Sequence, residues 1–252
     1  NSTLNNSIII GSVGKGISTF QNTVTISNVK IINSSDNAIK TDRTSATYTY
    51  LDLINNESVS ISNGSATFSN CNFNGTEMND YNGIVLESNL FNNGLAINNS
   101  NNASIISAIN NYWGDSSGPY HPSQNSSGQG DSTNQWVNIN PWLTIPNTDA
   151  PPIPAQNATV TGTGNDFISL NWDASLIGDL AGYKLYYDSD SSGYPYANTI
   201  DIGTETSYTL SSLPLGTTYY LAVTTYDTDG NESWYSNEVI GVTRVIQAQS
   251  LD

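Results

Sequence analysis

One cysteine, one methionine and one histidine are all that the 252 residues contain of those three side chains. A single cysteine, Cys71, permits no intramolecular disulfide. With only His121 beside it, no Cys/His set exists for zinc, an iron–sulfur cluster or haem, so any metal here must be oxygen-ligated. Positive charge is almost as scarce: 6 Lys+Arg face 22 Asp+Glu, a formal net charge of −16. Such a chain repels phosphate backbones and anionic lipid, and no Lys/Arg cluster offers a nucleic-acid footprint. No apolar run approaches the ~18 residues of a membrane span, so no membrane insertion is expected. The chain begins at Asn1 without a leader pattern, as expected of a mature chain or a fragment.

Charged residues make up 11%, less than half the usual ~25% of a soluble domain. Asn, Ser and Thr supply the missing polarity, and the shortage of oxidisable side chains fits an exposed extracellular setting. Asn occurs 29 times in residues 1 to 150 and 6 times afterwards, so the chain carries two compositions and two domains. Pro146, Asn147, Pro151, Pro152 and Pro154 mark the join, an extended spacer over 146–156 that resists helix and central strand.

The first part repeats. Apolar/polar alternation ending in Asn recurs around Ile26, Tyr48, Phe68, Leu86 and Ile106, at intervals of 22, 20, 18 and 20 residues. One period upstream lies the run Ile8, Ile9 and Ile10, giving about six units. Alternation of period 2 means strands, and a unit of this size is one coil of a parallel β-solenoid. Asn at the end of each run suits turns with left-handed backbone, where stacked amides form ladders along the axis. Six coils at ~4.8 Å each would extend on the order of 30 Å.

The most specific string runs from Asn110 through Tyr112, Trp113, Gly114, Asp115 and Gly118 to SGQGD at 127–131 and Asn140, Pro141, Trp142 and Leu143. It resembles the last coils of right-handed parallel β-helix proteins of the pectate-lyase-like superfamily, with the resemblance covering 1–145. By that likeness 110–143 is a C-terminal cap, in which Trp113, Trp136 and Trp142 cover the last coil; an aromatic sugar platform is the functional alternative.

After Ala158, seven short alternating segments in about 90 residues point to a β-sandwich. Trp172, Tyr183, Leu213, Pro214, Gly216 and Tyr219 resemble the fibronectin type III signature, Tyr219 being its tyrosine-corner residue. The DTDGNES turn, Asp227 to Ser233, resembles the last hairpin loop of bacterial and archaeal members. The fold class expected is therefore all-β: a right-handed parallel β-helix over 1–145 and a fibronectin type III β-sandwich over 157–243, with an extended tail at 244–252. The module implies spacing, display or binding, not catalysis, although such modules also accompany glycan-degrading enzymes.

Chemistry-bearing groups are few. A β-helix enzyme acting on uronic-acid glycans needs carboxylates for Ca²⁺ with a Lys or Arg base, or clustered aspartates. Only Asp36, Lys40, Asp42 and Arg43 are concentrated enough to serve, and a solvated turn with a local ion pair explains them as well. The paired aspartates and the Gly-His-Gly and Arg-Ile-Lys strings of polygalacturonases are absent. His121 reads as a loop residue, with no nucleophile elbow nearby. Two acidic turns are candidate calcium loops, Asp188 with Asp190, and Asp227 with Asp229 and Asn231, but Thr199 stands where an EF-hand closes with Glu. Candidate glycosylation sites include Asn33, Asn56, Asn63, Asn74, Asn98, Asn102, Asn125, Asn157 and Asn231. Eleven sequons in all compare with roughly eight from composition alone.

These observations imply a non-catalytic extracellular or cell-surface protein, structural or adhesive, that needs no cofactor, with Ca²⁺ the one candidate ion. The expected partners are further copies, another cell-surface protein or a glycan, and head-to-tail contacts that do not close would make a filament. The alternative is a secreted polysaccharide lyase or glycoside hydrolase, or a carbohydrate-binding fragment of one.

Overall fold

The structure is a computed structural model and describes residues 2–80, 83–100 and 104–244. Every regular element among them is a strand. The chain divides into two units, Asn1–Pro151 and Pro152–Asp252. The sequon Asn102 and the expected tail segment 245–252 lie outside the described residues.

The first unit is a parallel β-solenoid. Its first two coils contribute β1 (Ser2–Ile10), β2 (Ile17–Phe20), β3 (Thr23–Ile32) and β4 (Asn37–Asp42). The third and fourth contribute β5 (Ser45–Thr49), β6 (Asp52–Ile54), β7 (Ser58–Ser62), β8 (Ser65–Ser69), β9 (Asn72–Asn74) and β10 (Glu77–Asp80). The remaining coils hold β11 (Gly83–Leu86), β12 (Asn89–Phe91), β13 (Leu95–Asn99), β14 (Ile106–Ser107), β15 (Pro119–Tyr120), β16 (Gly130–Thr133) and β17 (Val137–Asn138).

These strands stack into three parallel faces. One runs β1, β3, β5, β8, β11, β14, β17, the second continues from the far halves of β1 and β3 to β6, β9 and β12, and the third runs β2, β4, β7, β10, β13, β16, β15. Apolar residues in register fill the lumen. Leu4 lies against Ile26, Ile26 against Tyr48, Tyr48 against Phe68, and Phe68 against Val85. Tyr48 and Phe68 stack ring on ring at 4.5 Å.

Two anchors expected from the repeat are displaced. Val85, not Leu86, stands opposite Phe68, because that coil is shorter than the spacing of the apolar runs implies. Ser107 pairs with Ile84, so Ile106 falls outside the column of Phe68 and Val85 and continues the neighbouring buried column of Val24, Ala46 and Ala66, with Val137 next above it. Upstream, Leu4 is the in-register residue, while Ile8, Ile9 and Ile10 stack on Lys30, Ile31 and Ile32 of the neighbouring face.

The corners explain the Asn content. Asn6, Asn28, Tyr50, Asn70, Glu87 and Asn110 all have φ between 50° and 56° and follow one another along the register. A second column holds Gly11, Asn33, Asn55, Gly75 and Asn92, and a third Gln21, Arg43 and Asn63. A bend of this kind needs left-handed backbone, which Gly and Asn adopt at least cost. Amides also ladder between coils: Asn28 Nδ2 donates to Asn6 Oδ1 at 2.6 Å, and Asn89 Nδ2 to Asn72 Oδ1 at 3.0 Å.

The last coil is closed by bulk. Trp113 is fully buried in the lumen cluster and Trp142 packs against it. Gly118 has φ +79°, and a Cβ there would meet the Trp142 indole at 2.5 Å, so only glycine fits beneath the ring. Trp136 is half-buried, and its carbonyl accepts from Ile106 N at 3.0 Å and Asn99 Nδ2 at 2.9 Å. His121 is fully buried in this cap: its Nδ1 accepts from the Ser123 and Gln124 amides at 3.1 and 3.0 Å, and its Nε2 meets the Val137 carbonyl at 3.0 Å. Chain 146–151 does not hang free: Asn147 N donates to Asn89 Oδ1 at 2.7 Å, and the Pro151 carbonyl accepts from Asn72 Nδ2 at 2.8 Å.

The second unit is an antiparallel sandwich. One sheet joins β18 (Thr159–Thr163), β19 (Phe167–Asn171) and β22 (Ser207–Ser211); the other orders β21 (Asn198–Gly203), β20 (Leu180–Asp188), β23 (Thr218–Asp227) and β24 (Val239–Val242). These are the seven segments legible from alternation. Trp172 and Tyr183 meet edge to face at 5.5 Å in the core. Tyr219 is buried, its ring 6.4 Å from that of Tyr187, but its hydroxyl makes no hydrogen bond among the described residues.

Candidate functional site

The lyase-like residues do not converge. Asp36 immediately precedes β4 and Asp42 is its last residue, and at ~3.3 Å per residue about 20 Å of extended chain separates them. Asp36 pairs with Lys15 at 3.2 Å, and the Asn37 amide, together with that lysine, holds its carboxyl below the usual range. Lys40 and Asp42 are two apart on one face of β4. Asp42 Oδ1 accepts from Asn63 Nδ2 at 3.1 Å and Ser62 Oγ at 3.4 Å. Arg43 stands over the Phe20 ring at 5.9 Å and lines an open polar groove of ≈ 590 Å³ with Thr44, Ser45, Asn63, Gly64 and Ser65.

Inside the solenoid, polar groups are committed to adjoining coils. Asp52 is buried, paired with Lys30 at 3.0 Å and hydrogen-bonded by Asn72 at 3.1 Å. Asp131 accepts from Asn93 N at 3.1 Å, Asn93 Nδ2 at 2.7 Å and Gly94 N at 3.2 Å, while burial raises its carboxyl against those donors. Burial also pushes the Cys71 thiol up to about 12, which leaves it unreactive at neutral pH.

The acidic turns use their own oxygens. Asp188 is buried, with Oδ1 accepting from Ser189 N at 2.7 Å and Oδ2 from Ala197 N at 3.1 Å. Asp227 is buried too, taking the Asp229 and Asn231 amides on Oδ1 at 3.0 and 2.8 Å and Asn231 Nδ2 on Oδ2 at 2.9 Å. Both behave as turn-closing Asx residues, and the described residues contain no group of three or more His, Cys, Asp or Glu side chains able to hold a metal.

Among the sequons, Asn56 stands apart. It is buried, and its Nδ2 donates to the Ile31 carbonyl at 2.9 Å and Thr76 Oγ1 at 3.2 Å, so the folded coil leaves no room for a glycan there. Asn33, Asn63, Asn157 and Asn231 are exposed, and Asn74, Asn98 and Asn125 are half-buried.

One surface cluster is absent from the sequence reading. Tyr186 of β20, Tyr194 and Tyr196 of the β20–β21 loop, and Trp234 and Tyr235 of the β23–β24 loop assemble on the second unit. Tyr235 lies 5.0 Å from Tyr186, 5.1 Å from Tyr196, 4.9 Å from Trp234 and 5.9 Å from Tyr194, with Tyr194 and Trp234 5.2 Å apart. Tyr194 is 50% exposed and the other four are half-buried. Two carboxylates fasten the rings. Glu238 accepts from Tyr196 Oη at 2.7 Å, Gly193 N at 2.6 Å and Ser192 Oγ at 2.6 Å. Glu232 accepts from Tyr186 Oη at 2.8 Å and Thr224 Oγ1 at 2.7 Å and pairs with Lys184 at 2.6 Å.

Burial, then the neighbouring Glu238 carboxylate, pushes the Tyr196 phenol up; burial, then Tyr186 and Glu232, does the same for Tyr235. Burial alone would raise Glu232, but the Lys184, Thr224 and Tyr186 hydrogen bonds outweigh it and hold the carboxyl below its usual range. The Tyr196 and Tyr235 phenols therefore stay neutral and Glu232 stays ionised at neutral pH. The only sequence trace of this cluster is the pair of strings YPY and WY, which stand far apart in the chain in Ser-, Gly- and Asn-rich loops.

The architecture is thus a parallel β-solenoid followed by a β-sandwich. Residues 151–242 match the family model described as Fibronectin type III domain, so the chain is a β-helix followed by a C-terminal fibronectin type III domain. Such domains are commonly found in extracellular proteins. Similar solved structures include the fibronectin type III domain of human fibronectin type III domain containing protein 3, at 25% identity over 40% of this chain and 94% of that one, TM-score 0.34. The FN1–FN3 domains of chicken CNTN1 match at 21% identity over 38% of this chain and 32% of that one, TM-score 0.35. An Fn3-like protein from Clostridium thermocellum matches at 24% identity over 39% and 100%, TM-score 0.32. No curated protein matches the chain.

Proposed function

We propose that the protein is a non-catalytic structural and adhesive component of the cell surface, the solenoid serving as scaffold and the fibronectin type III unit as the binding module. The observation that carries this reading is the commitment of three solenoid aspartates to coil neighbours: Asp52 to Lys30 and Asn72, Asp42 to Ser62 and Asn63, and Asp131 to Asn93 and Gly94. Groups held this way support coil stacking and are poor acids, bases or metal ligands. Antibody labelling of intact cells tests the reading: surface label is expected, and label only after permeabilisation would contradict it.

Self-assembly is the finer form of the same reading. β1 and β2 each pair with one strand only, and Leu4, Ile9 and Ile17 are only partly buried, an edge suited to a further strand. Because Trp113 and Trp142 close the last coil, a head-to-tail contact would join that edge to a surface other than a bare coil. Light scattering over a concentration series should show growth, and a mass that stays at that of a single chain would rule assembly out.

The open groove beside Arg43 favours the second reading, a secreted polysaccharide lyase, because Arg43 is a cation facing a polar cleft.

A further inference from the structure

We propose that the ring cluster of Tyr186, Tyr194, Tyr196, Trp234 and Tyr235 is a docking surface for a basic segment of another protein, whose Lys or Arg side chains lie against the ring faces. The proposal rests on the adhesive reading and names the class of partner that its binding module takes.

Three features point to a cation-bearing occupant. The first is charge. Residues 152–252 contain twelve Asp+Glu and only Lys184 and Arg244, a net −10. Lys184 is already engaged by Glu232 at 2.6 Å and by the Tyr226 ring at 5.3 Å, so this face of the sheet already holds one cation between a carboxylate and an aromatic ring. The second is the ring electrostatics. Aromatic faces are negative, and Glu238, bonded to the Tyr196 phenol and in no ion pair among the described residues, adds to the potential a cation meets there, while the charge of Glu232 is met by Lys184.

The third is preorganisation. The rings brace one another at 4.9 to 5.9 Å, and Glu238 ties the β20–β21 loop to the start of β24 through three hydrogen bonds. Little side-chain entropy remains to be lost on binding. Rigid Tyr and Trp set among Ser, Gly and Asn is also the composition of loops that recognise protein surfaces. A neutral sugar would use the rings but gain nothing from the −10 charge.

The test titrates the full chain with a soluble peptide of alternating Arg and Gly at physiological salt. The same titration is run on Tyr194→Leu and Trp234→Leu, which keep the charge, and on Tyr120→Leu in the solenoid as control. Saturable binding is expected, weakened about tenfold or more by either patch variant and unchanged by the control. Equal binding by all four chains would mean attraction by net charge alone and would overturn the proposal. So would no peptide binding, or binding of a neutral oligosaccharide that Trp234→Leu abolishes. Circular dichroism of each variant confirms that the sandwich is intact. Failure here with positive surface labelling would leave the adhesive reading standing; absence of surface label would remove that reading itself.

Discussion

At the scale of single residues, the Asn excess belongs to left-handed corners, and the corners where another residue stands are the informative ones. Tyr50 has φ 55°, lies between Asn28 and Asn70 in its column and is 46% exposed. A non-Gly, non-Asn residue in this region carries a penalty of roughly 1 kcal/mol. Tyr50→Asn should therefore stabilise the solenoid by about 0.5–1 kcal/mol and raise its melting temperature by about 2 °C; an unchanged or lower midpoint would show that the ring contributes more than the strain costs. The composition pointed to such turns, but the division into three columns was not visible, because Tyr50, Glu87, Arg43 and Gln21 interrupt the Asn pattern. His121 shows a different limit. Nothing in its local sequence marks it as interior, yet burial lowers its pKa from 6.5, and two backbone amides donate to Nδ1, which must be unprotonated to accept them. With a depressed folded value, its contribution to stability is complete above the unfolded pKa and is lost as pH falls through the folded one. An NMR titration of the ring should give a midpoint below 6.5, and one above 6.5 would contradict the assignment.

At the scale of elements, stacking does what hairpins do elsewhere. Each coil's apolar residue sits on the preceding one, and the polar side chains Lys30, Asp52, Asn72 and Asn89 continue from coil to coil until Asn147. Deleting the bulk that ends this stack should be costly. Trp113→Ala should destabilise the solenoid by about 3–5 kcal/mol, read from its denaturant midpoint, and a loss under about 1 kcal/mol would mean that Trp142 closes the coil unaided. The seven sandwich strands were legible because alternation is local. The fourth and fifth solenoid anchors were read slightly out of place, because coil length varies: the corner at Glu87 arrives early, and no turn signal announces it. The aromatic cluster was invisible for a stronger reason. Its rings come from one strand and two loops, and only the sheet order β21, β20, β23, β24 brings them together.

At the scale of the molecule, the two units differ in composition and in how their side chains are used. The first commits its side chains to its own coils; the second presents rings outward and holds −10 of the −16 charge. Asp36, Lys40, Asp42 and Arg43 looked like one group because they stand close together in the sequence, and extended β geometry spreads them along a coil. The central claim is that this solenoid is a scaffold and not a catalyst. The most direct measurement incubates the full chain with polygalacturonate and related uronic-acid polysaccharides, with and without Ca²⁺, and follows new reducing ends and unsaturated product. The account predicts none above the buffer blank; product that disappears in Lys40→Ala or Arg43→Ala would contradict it.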